Sequence, residues 1–279
     1  MSAYGAGSAM PASPAVRVPV GKVDGRVRWR EDDVVAVEEP LEIRVGSKSL
    51  SVTMRTPGHD LELAAGFLFA EGIIENPGQI RAIANSELNV VEVDLSDDAP
   101  NPGAAPQRGF VMTSACGVCG KESLEALAAS RCAILPPSEL RVDAAVLHSL
   151  PDELRRRQNV FDSTGGLHAA ALFSPKGELE SLREDVGRHN AVDKVVGRAL
   201  LDSRIPLGDS IMLVSGRASF ELVQKATMAG VSVLAAVGAP SSFAVAEAVR
   251  CHLTLIGFLR NGSFNVYNGI GSITGLEPG

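Results

Sequence analysis

Ile211-Met212-Leu213-Val214-Ser215-Gly216-Arg217-Ala218-Ser219-Phe220-Glu221-Leu222-Val223-Gln224-Lys225-Ala226-Thr227-Met228 decides the fold class. Four apolar residues end in a small polar turn, and a helical pattern begins at once at Phe220. The order then recurs downstream. A strand is predicted over Val231 to Ala235, a helix over Ser242 to Arg250 and a strand over Leu253 to Ile256, with a strand at Ser263 to Tyr267 closing the fold. Upstream, Leu167 to Phe173 and Glu178 to Arg183 read as a hairpin that leads into a helix from Arg188 to Leu201. A further helix is expected over Asp143 to Gln158, with Val146, Leu147, Leu150 and Leu154 on one face. Strands alternating with helices imply an α/β layer with a partly parallel sheet. No internal repeat is read.

The first third differs. Val34 to Val37, Leu41 to Val45 and Leu50 to Met54 are short β-branched or alternating segments, and Gly46-Ser47-Lys48 supplies a hairpin turn between the last two. Pro57 opens a helix over Asp60 to Ala70, with Leu61, Ala64, Ala65 and Leu68 apolar. Met1 to Pro14 is rich in Ala, Gly, Ser and Pro and reads as a disordered lead-in, not a signal peptide. The 279 residues suffice for a sizeable core. A net charge of −7 argues against general nucleic-acid binding, and no apolar run approaches the roughly 20 residues that span a bilayer. Four cysteines in a chain this long do not make a disulfide framework, so a reducing cytoplasm is the expected location.

Two of those cysteines sit in Ser114-Ala115-Cys116-Gly117-Val118-Cys119-Gly120, ahead of a helix-forming run from Lys121 to Ser130. The Pro/Ala/Gly/Asn-rich segment Asp97 to Arg108 leads into them as a mobile loop. Thiols near a helix N-terminus favour the thiolate, which attacks electrophilic sulfur or binds metal. A zinc site needs two more ligands, and nothing in the spacing of Cys132, Cys251, His168, His189 and His252 gathers them. Zinc deaminases use His-x-Glu and Pro-Cys-x-x-Cys. Here Ala115 precedes Cys116 and Ala169-Ala170 follows His168, so the general acid is missing.

Three further turns gather polar groups. Arg183-Glu184-Asp185-Val186-Gly187-Arg188-His189-Asn190 leads into a helix whose free N–H groups suit an anion, with Asp193 one turn beyond His189 to set its ring. Ser215-Gly216-Arg217-Ala218-Ser219 resembles a phosphate-cradling loop in composition but lacks a Walker motif's lysine and spacing. Turns after successive parallel strands share one sheet edge, so these two are expected to line one crevice, a natural nucleotide or pterin site. Asp162-Ser163-Thr164-Gly165-Gly166-Leu167-His168 is a third, read equally well as a hairpin connection. Lastly, Phe264-Asn265-Val266-Tyr267-Asn268-Gly269 is expected to put an aromatic pair on one strand face beside two amides, able to stack a purine or pterin ring.

Taken in order, Cys116 to Gly120, Phe161 to His168, Glu184 to Lys194, Ser215 to Lys225 and Phe264 to Gly269 resemble the FdhD family, formate dehydrogenase accessory sulfurtransferases. The match runs from about Arg55 onward. The resemblance implies a cytidine-deaminase-like three-layer α/β/α sandwich with a mixed sheet, plus a smaller N-terminal β-rich part, without deaminase activity. It divides the chain into a disordered lead-in (1–20), a β-rich portion with one helix (21–110) and a sulfurtransferase core (111–279). It further implies a sulfur carrier that takes persulfide sulfur from a cysteine desulfurase. The sulfur passes to the molybdenum or tungsten bis(pyranopterin guanine dinucleotide) cofactor before insertion into formate dehydrogenase. Guanine nucleotides are then partial mimics of that substrate, and the protein needs no tightly bound metal of its own. By position Cys116 is the persulfide carrier and Cys119 a neighbouring thiol. Phe264, Asn265, Val266, Tyr267, Asn268 and Gly269 fall in the family's cofactor-binding stretch. Arg188, His189, Ser215, Gly216, Arg217 and Lys225 are the expected polar binding groups. A homodimer would suit a bis-nucleotide ligand. The competing reading is a non-catalytic chaperone for the same cofactor.

Overall fold

A computed structural model describes residues 13–100, 111–112 and 133–277. Its centre is a six-stranded mixed sheet. In chain order its strands are β9 (His168–Phe173), β10 (Leu179–Asp185), β11 (Ile211–Val214), β12 (Val233–Ala236), β13 (Thr254–Arg260) and β14 (Ser263–Asn268). The spatial order is β10-β9-β11-β12-β13-β14. Only β11, β12 and β13 run parallel; β9, β10 and β14 are antiparallel to their neighbours. Every residue of β11 and β12 is buried, as continuous apolar runs in a sheet covered on both faces must be.

One face is covered by α2 (Ala144–Arg157), whose Leu147, Leu150 and Leu154 pack on Ala171, Phe173, Leu213 and Ala235. The other is covered by α4 (Arg188–Leu201), α5 (Phe220–Met228) and α6 (Ser242–Arg250), packing on Leu172, Met212, Leu234 and Leu255. This is the expected three-layer α/β/α sandwich. Side-chain caps start two of the helices: Ala145 N donates to Asp143 Oδ1 at 2.8 Å, and Ala244 N to Ser241 Oγ at 3.2 Å.

A second, five-stranded sheet lies beyond the helix layer. It comprises β3 (Glu39–Val45), β4 (Lys48–Arg55), β5 (Ile80–Glu87), β6 (Val90–Leu95) and β7 (Val111–Met112), ordered β5-β6-β3-β4-β7. The turn at Gly46, with φ +54°, joins β3 to β4 as expected. Helix α1 (Asp60–Ala70) joins the two parts. It is buried from Glu62 through Ala70, where the apolar pattern had suggested a single inward face. Its Gly66 meets Gly197 of α4 backbone to backbone. A Cβ on Gly66 would stand 1.9 Å from Asp193 O, and one on Gly197 would stand 1.8 Å from Glu62 O.

Two features differ from expectation. Ala15–Asp24 forms a strand, β1, paired with β2 (Val27–Ala36), so the lead-in is ordered from well before residue 20 and β2 begins seven residues ahead of Val34. Val16, Val18 and Val20 alternate with Arg17, Pro19 and Gly21, a strand pattern that Lys22 breaks. Asp162 to Thr164, read as a turn, ends a short helix, α3 (Asn159–Thr164), closed by Gly165 at φ +65°. The remaining pair is β8 (Val142–Asp143) with β15 (Ile273–Thr274).

Candidate functional site

The carboxyl edge of β11 and β12 is where the polar turns meet. Val214 is in register with Ala236, so both strands end at one level. The two following turns are hydrogen-bonded to each other. Val237 N donates to Val214 O (3.1 Å), Gly238 N to Gly216 O (3.0 Å), Ala218 N to Ala239 O (3.2 Å) and Ser241 N to Ala218 O (3.0 Å). A Cβ on Gly238 would sit 2.9 Å from Gly216 O, so this approach requires glycine. Strand β13 extends past the edge, and Phe258 N donates to Gly238 O at 3.0 Å. Phe258 itself holds φ +54°, unusual for an aromatic residue, and its ring lies under the Arg260 guanidinium at 5.7 Å.

Antiparallel β9 and β10 bring their polar ends to the same edge. His168 pairs with Asp185, and Ala169 N donates to Ser215 Oγ at 2.8 Å. A Cβ on Gly216 would lie 3.3 Å from His168 Nδ1 and 3.9 Å from Arg188 Cδ, so those two side chains flank the bare Gly216 backbone. Helices α4, α5 and α6 all begin here, each presenting its positive end. With Arg188 and an exposed Arg217, the edge favours an anion although the chain is acidic.

A buried network fixes the start of α4. Asp185 accepts from Thr56 N (3.1 Å), Gly187 N (2.8 Å) and Asn190 Nδ2 (3.0 Å), and pairs with Lys194 Nζ at 2.7 Å. Lys194 also donates to Thr56 O at 2.9 Å, and Asn190 Nδ2 to Met54 O at 2.7 Å, which ties the motif to the end of β4. Its neighbour Glu184 accepts from Val160 N and Phe161 N at the start of α3 (3.1 and 2.8 Å).

His189 is buried beside Ser219 Oγ (3.4 Å) and Glu221 Oε2 (3.8 Å), both reached through Nε2. Burial pushes its pKa down, as do Lys225 and Arg188, against the pull of Glu221. The ring is therefore neutral at pH 7. Burial pushes Glu221 up, but hydrogen bonding to His189, its own backbone N–H and Ser219 outweighs this and leaves it at about 2. Because serine and glutamate approach the same nitrogen, the trio is not arranged as a nucleophile–base–orienter relay. His168 is also pushed down, first by burial and then by Arg188.

Of the sequence-predicted binding residues, Arg188, His189, Ser215, Gly216 and Arg217 are brought together. Asp193 and Lys225 take other roles. Lys225 Nζ pairs with Asp193 Oδ1 at 2.6 Å inside the protein, so the carboxylate does not orient His189 and the buried ammonium does not line the crevice. Phe264 and Tyr267 are not on one face. A strand alternates sides at every residue, so positions three apart point oppositely. Phe264 and Val266 pack on the α2 side, with the Phe264 ring 5.1 Å from that of His148, while Tyr267 packs on the other side. The Asn268 amide donates to Leu253 O (2.7 Å) and Ala248 O (3.2 Å). Gly269 turns the chain at φ +81°, and Asn265 stays exposed opposite Gly257. Cys116, Cys119 and Cys132 lie outside the described residues, as does most of the Asp97 to Arg108 loop. Among the described residues no group of three His, Cys, Asp or Glu is gathered as a metal site.

The turn Val237 to Ser241 and the strained Phe258 were not anticipated. One signal was available. Gly216-Arg217-Ala218-Ser219-Phe220 is echoed by Gly238-Ala239-Pro240-Ser241-Ser242-Phe243 one strand later, and the Phe220 and Phe243 rings stack at 4.4 Å.

Comparison with known proteins adds four findings. A family model described as FdhD/NarQ family matches residues 36–274. "Sulfur carrier protein FdhD" of Streptomyces avermitilis is 52% identical over 256 residues, covering 88% of this chain and 90% of that protein. The protein of the same name from the archaeon Sulfurisphaera tokodaii is 45% identical, covering 90% and 96%. A crystal structure of a candidate formate dehydrogenase accessory protein from Desulfotalea psychrophila superposes with a TM-score of 0.77 at 26% identity, covering 94% of this chain and all of that one.

Proposed function

The chain belongs to the FdhD/NarQ family, and from that premise we propose that it is a sulfur carrier in formate dehydrogenase maturation, working in the cytoplasm. In this reading Cys116 takes sulfur from a cysteine desulfurase. Its thiolate attacks the outer sulfur of the donor's persulfide; a new S–S bond forms on Cys116 and the donor thiolate leaves. The acceptor is the molybdenum or tungsten bis(pyranopterin guanine dinucleotide) cofactor, here a substrate, on its way to formate dehydrogenase. Cys119 completes the electron balance. Its thiolate attacks Cys116 Sγ, the sulfane sulfur departs as hydrosulfide for the metal, and the two cysteines are left as a disulfide that a dithiol reductant reopens.

The observation that carries the reading is the convergence of Arg188, His168, Gly216, Arg217 and Gly238 at one sheet edge. That edge offers bare backbone, cationic side chains and three helix N-termini to the phosphates of a guanine dinucleotide. Phe258 and the exposed Asn265 of β14 stand at the same edge for the ring system.

Complementation tests the cysteine assignment. In a strain lacking its own sulfur carrier, the wild-type chain restores formate dehydrogenase activity and Cys116→Ala restores none, while binding guanine nucleotide as the wild type does. Full activity with Cys116→Ala removes the carrier role and favours a cofactor chaperone.

A further inference from the structure

The ribbon formed by β1 and β2 lies almost wholly outside the family match, which starts at residue 36, and every residue from Gly21 to Asp33 is exposed. Directly paired residues share a face. The register from Ala15↔Ala36 to Asp24↔Val27 therefore puts Lys22, Trp29, Glu31 and Asp33 on one face and Arg17, Arg28, Arg30 and Asp32 on the other, with Arg26 in the turn at the tip. The two faces differ in how their charges are satisfied. On the first, Lys22 pairs with Glu31, which also accepts from Trp29 Nε1 at 2.7 Å. On the second, no carboxylate of the described residues pairs with Arg17, Arg28 or Arg30, nor with Arg26. Gly21 stands directly beside Arg30, and a Cβ there would have nothing within 4 Å. The guanidinium row thus borders a low floor that another chain can approach closely.

We propose that this face docks an extended acidic segment of a partner protein, with alternate carboxylates of the segment on Arg28 and Arg30. Charge selects that occupant. The chain as a whole carries −7, yet this face holds three arginines, with a fourth at its tip, against one aspartate. Spacing agrees. Arg28 and Arg30 stand two residues apart on one strand, about 7 Å, the interval between alternate side chains of an extended segment. Each guanidinium can then hold a carboxylate in bidentate fashion. Asp32 decides against a nucleic acid. It takes the next place after Arg30 on the same face, so a continuous phosphate backbone would meet a carboxylate there. A protein segment with spaced carboxylates sets a neutral residue at that place. A two-stranded hairpin this exposed is marginal alone and gains order from such a partner. Docking there is independent of sulfur transfer.

The test uses the full chain and a dye-labelled peptide of alternating glutamate and valine, followed by fluorescence anisotropy at about 50 mM salt, where screening is weak. The wild type should bind the peptide, and Arg28→Glu with Arg30→Glu should weaken binding by about tenfold or more. Lys48→Glu with Lys176→Glu makes the same change in net charge at two exposed lysines, one at the start of β4 and one between β9 and β10. That variant should keep the wild-type affinity to within about twofold. The reversed ribbon should in turn gain affinity for a peptide of alternating lysine and valine. Circular dichroism checks that each variant stays folded. A wild-type chain that leaves the glutamate peptide unbound at about 1 mM overturns the proposal. So does an equal loss in both double variants, which reduces the effect to net charge. A single-stranded oligonucleotide of matched charge that binds more tightly than the peptide also overturns it.

Discussion

Burial, more than any neighbouring charge, sets the protonation of His189. Its folded pKa lies below the ordinary 6.5, so the unfolded chain takes up the proton first as pH falls. The stability tied to the neutral ring is therefore complete above about pH 6.5 and declines below it, with His168 acting in the same sense. Asp193 works oppositely. Raised from 3.8 to about 6 by burial, its carboxylate costs stability as pH rises through that window, which Lys225 partly offsets. His189→Gln should flatten the fall in melting temperature between pH 6.5 and 5, followed by scanning calorimetry; an unchanged slope would sink the assignment. At the crevice, Arg217→Ala should weaken GDP binding by about tenfold in isothermal titration, the loss expected for one charge-assisted hydrogen bond. Unchanged affinity dismisses that residue. Residue types were legible in the sequence, and partners were not. That Arg188, His189 and Arg217 share an edge follows from topology, but the choice of Lys225 by Asp193 depends on how α4 packs on α5, which no spacing along one helix reveals.

The boundaries of α1, α4, α5 and α6 were readable because small polar turns and apolar periodicity agree with the sheet they cover. What the pattern concealed is that α1 is buried nearly all round. Its 3.6-residue stripe marks one partner, while Gly66 marks the second by admitting the backbone of α4. Gly66→Ala forces a methyl into a space 1.9 Å from Asp193 O, with backbone on both sides and no flexible neighbour to yield. It should destabilise the protein by about 2–3 kcal/mol. The position also lies against the helix that starts at the crevice, so nucleotide affinity should fall with stability. A variant that melts like the wild type would show that the two helices separate freely. Strand β6 does carry the alternation Val91-Glu92-Val93-Asp94-Leu95, β5 has only Ile80 and Ile83 as large apolar residues, and the charges of β2 face water on both sides.

Across the whole molecule, one edge of the central sheet gathers the polar turns and the starts of three helices. The central sheet and the buried Asp185–Lys194 network hold the polar turns in fixed register, and the end of β4 is tied to the start of α4 through Thr53, Met54 and Thr56. Order in the five motifs carried the family, and physics alone carried the crevice. Neither reaches the sulfur itself, because a thiol's reactivity depends on what approaches it. The most direct measurement is intact-protein mass spectrometry after incubation with a cysteine desulfurase and cysteine, with peptide mapping of the adduct. The account predicts a gain of about 32 Da on Cys116 that reductant removes and that Cys116→Ala lacks. A protein that binds guanine nucleotide but never gains that mass, or gains it elsewhere, contradicts Cys116 as the sulfur carrier.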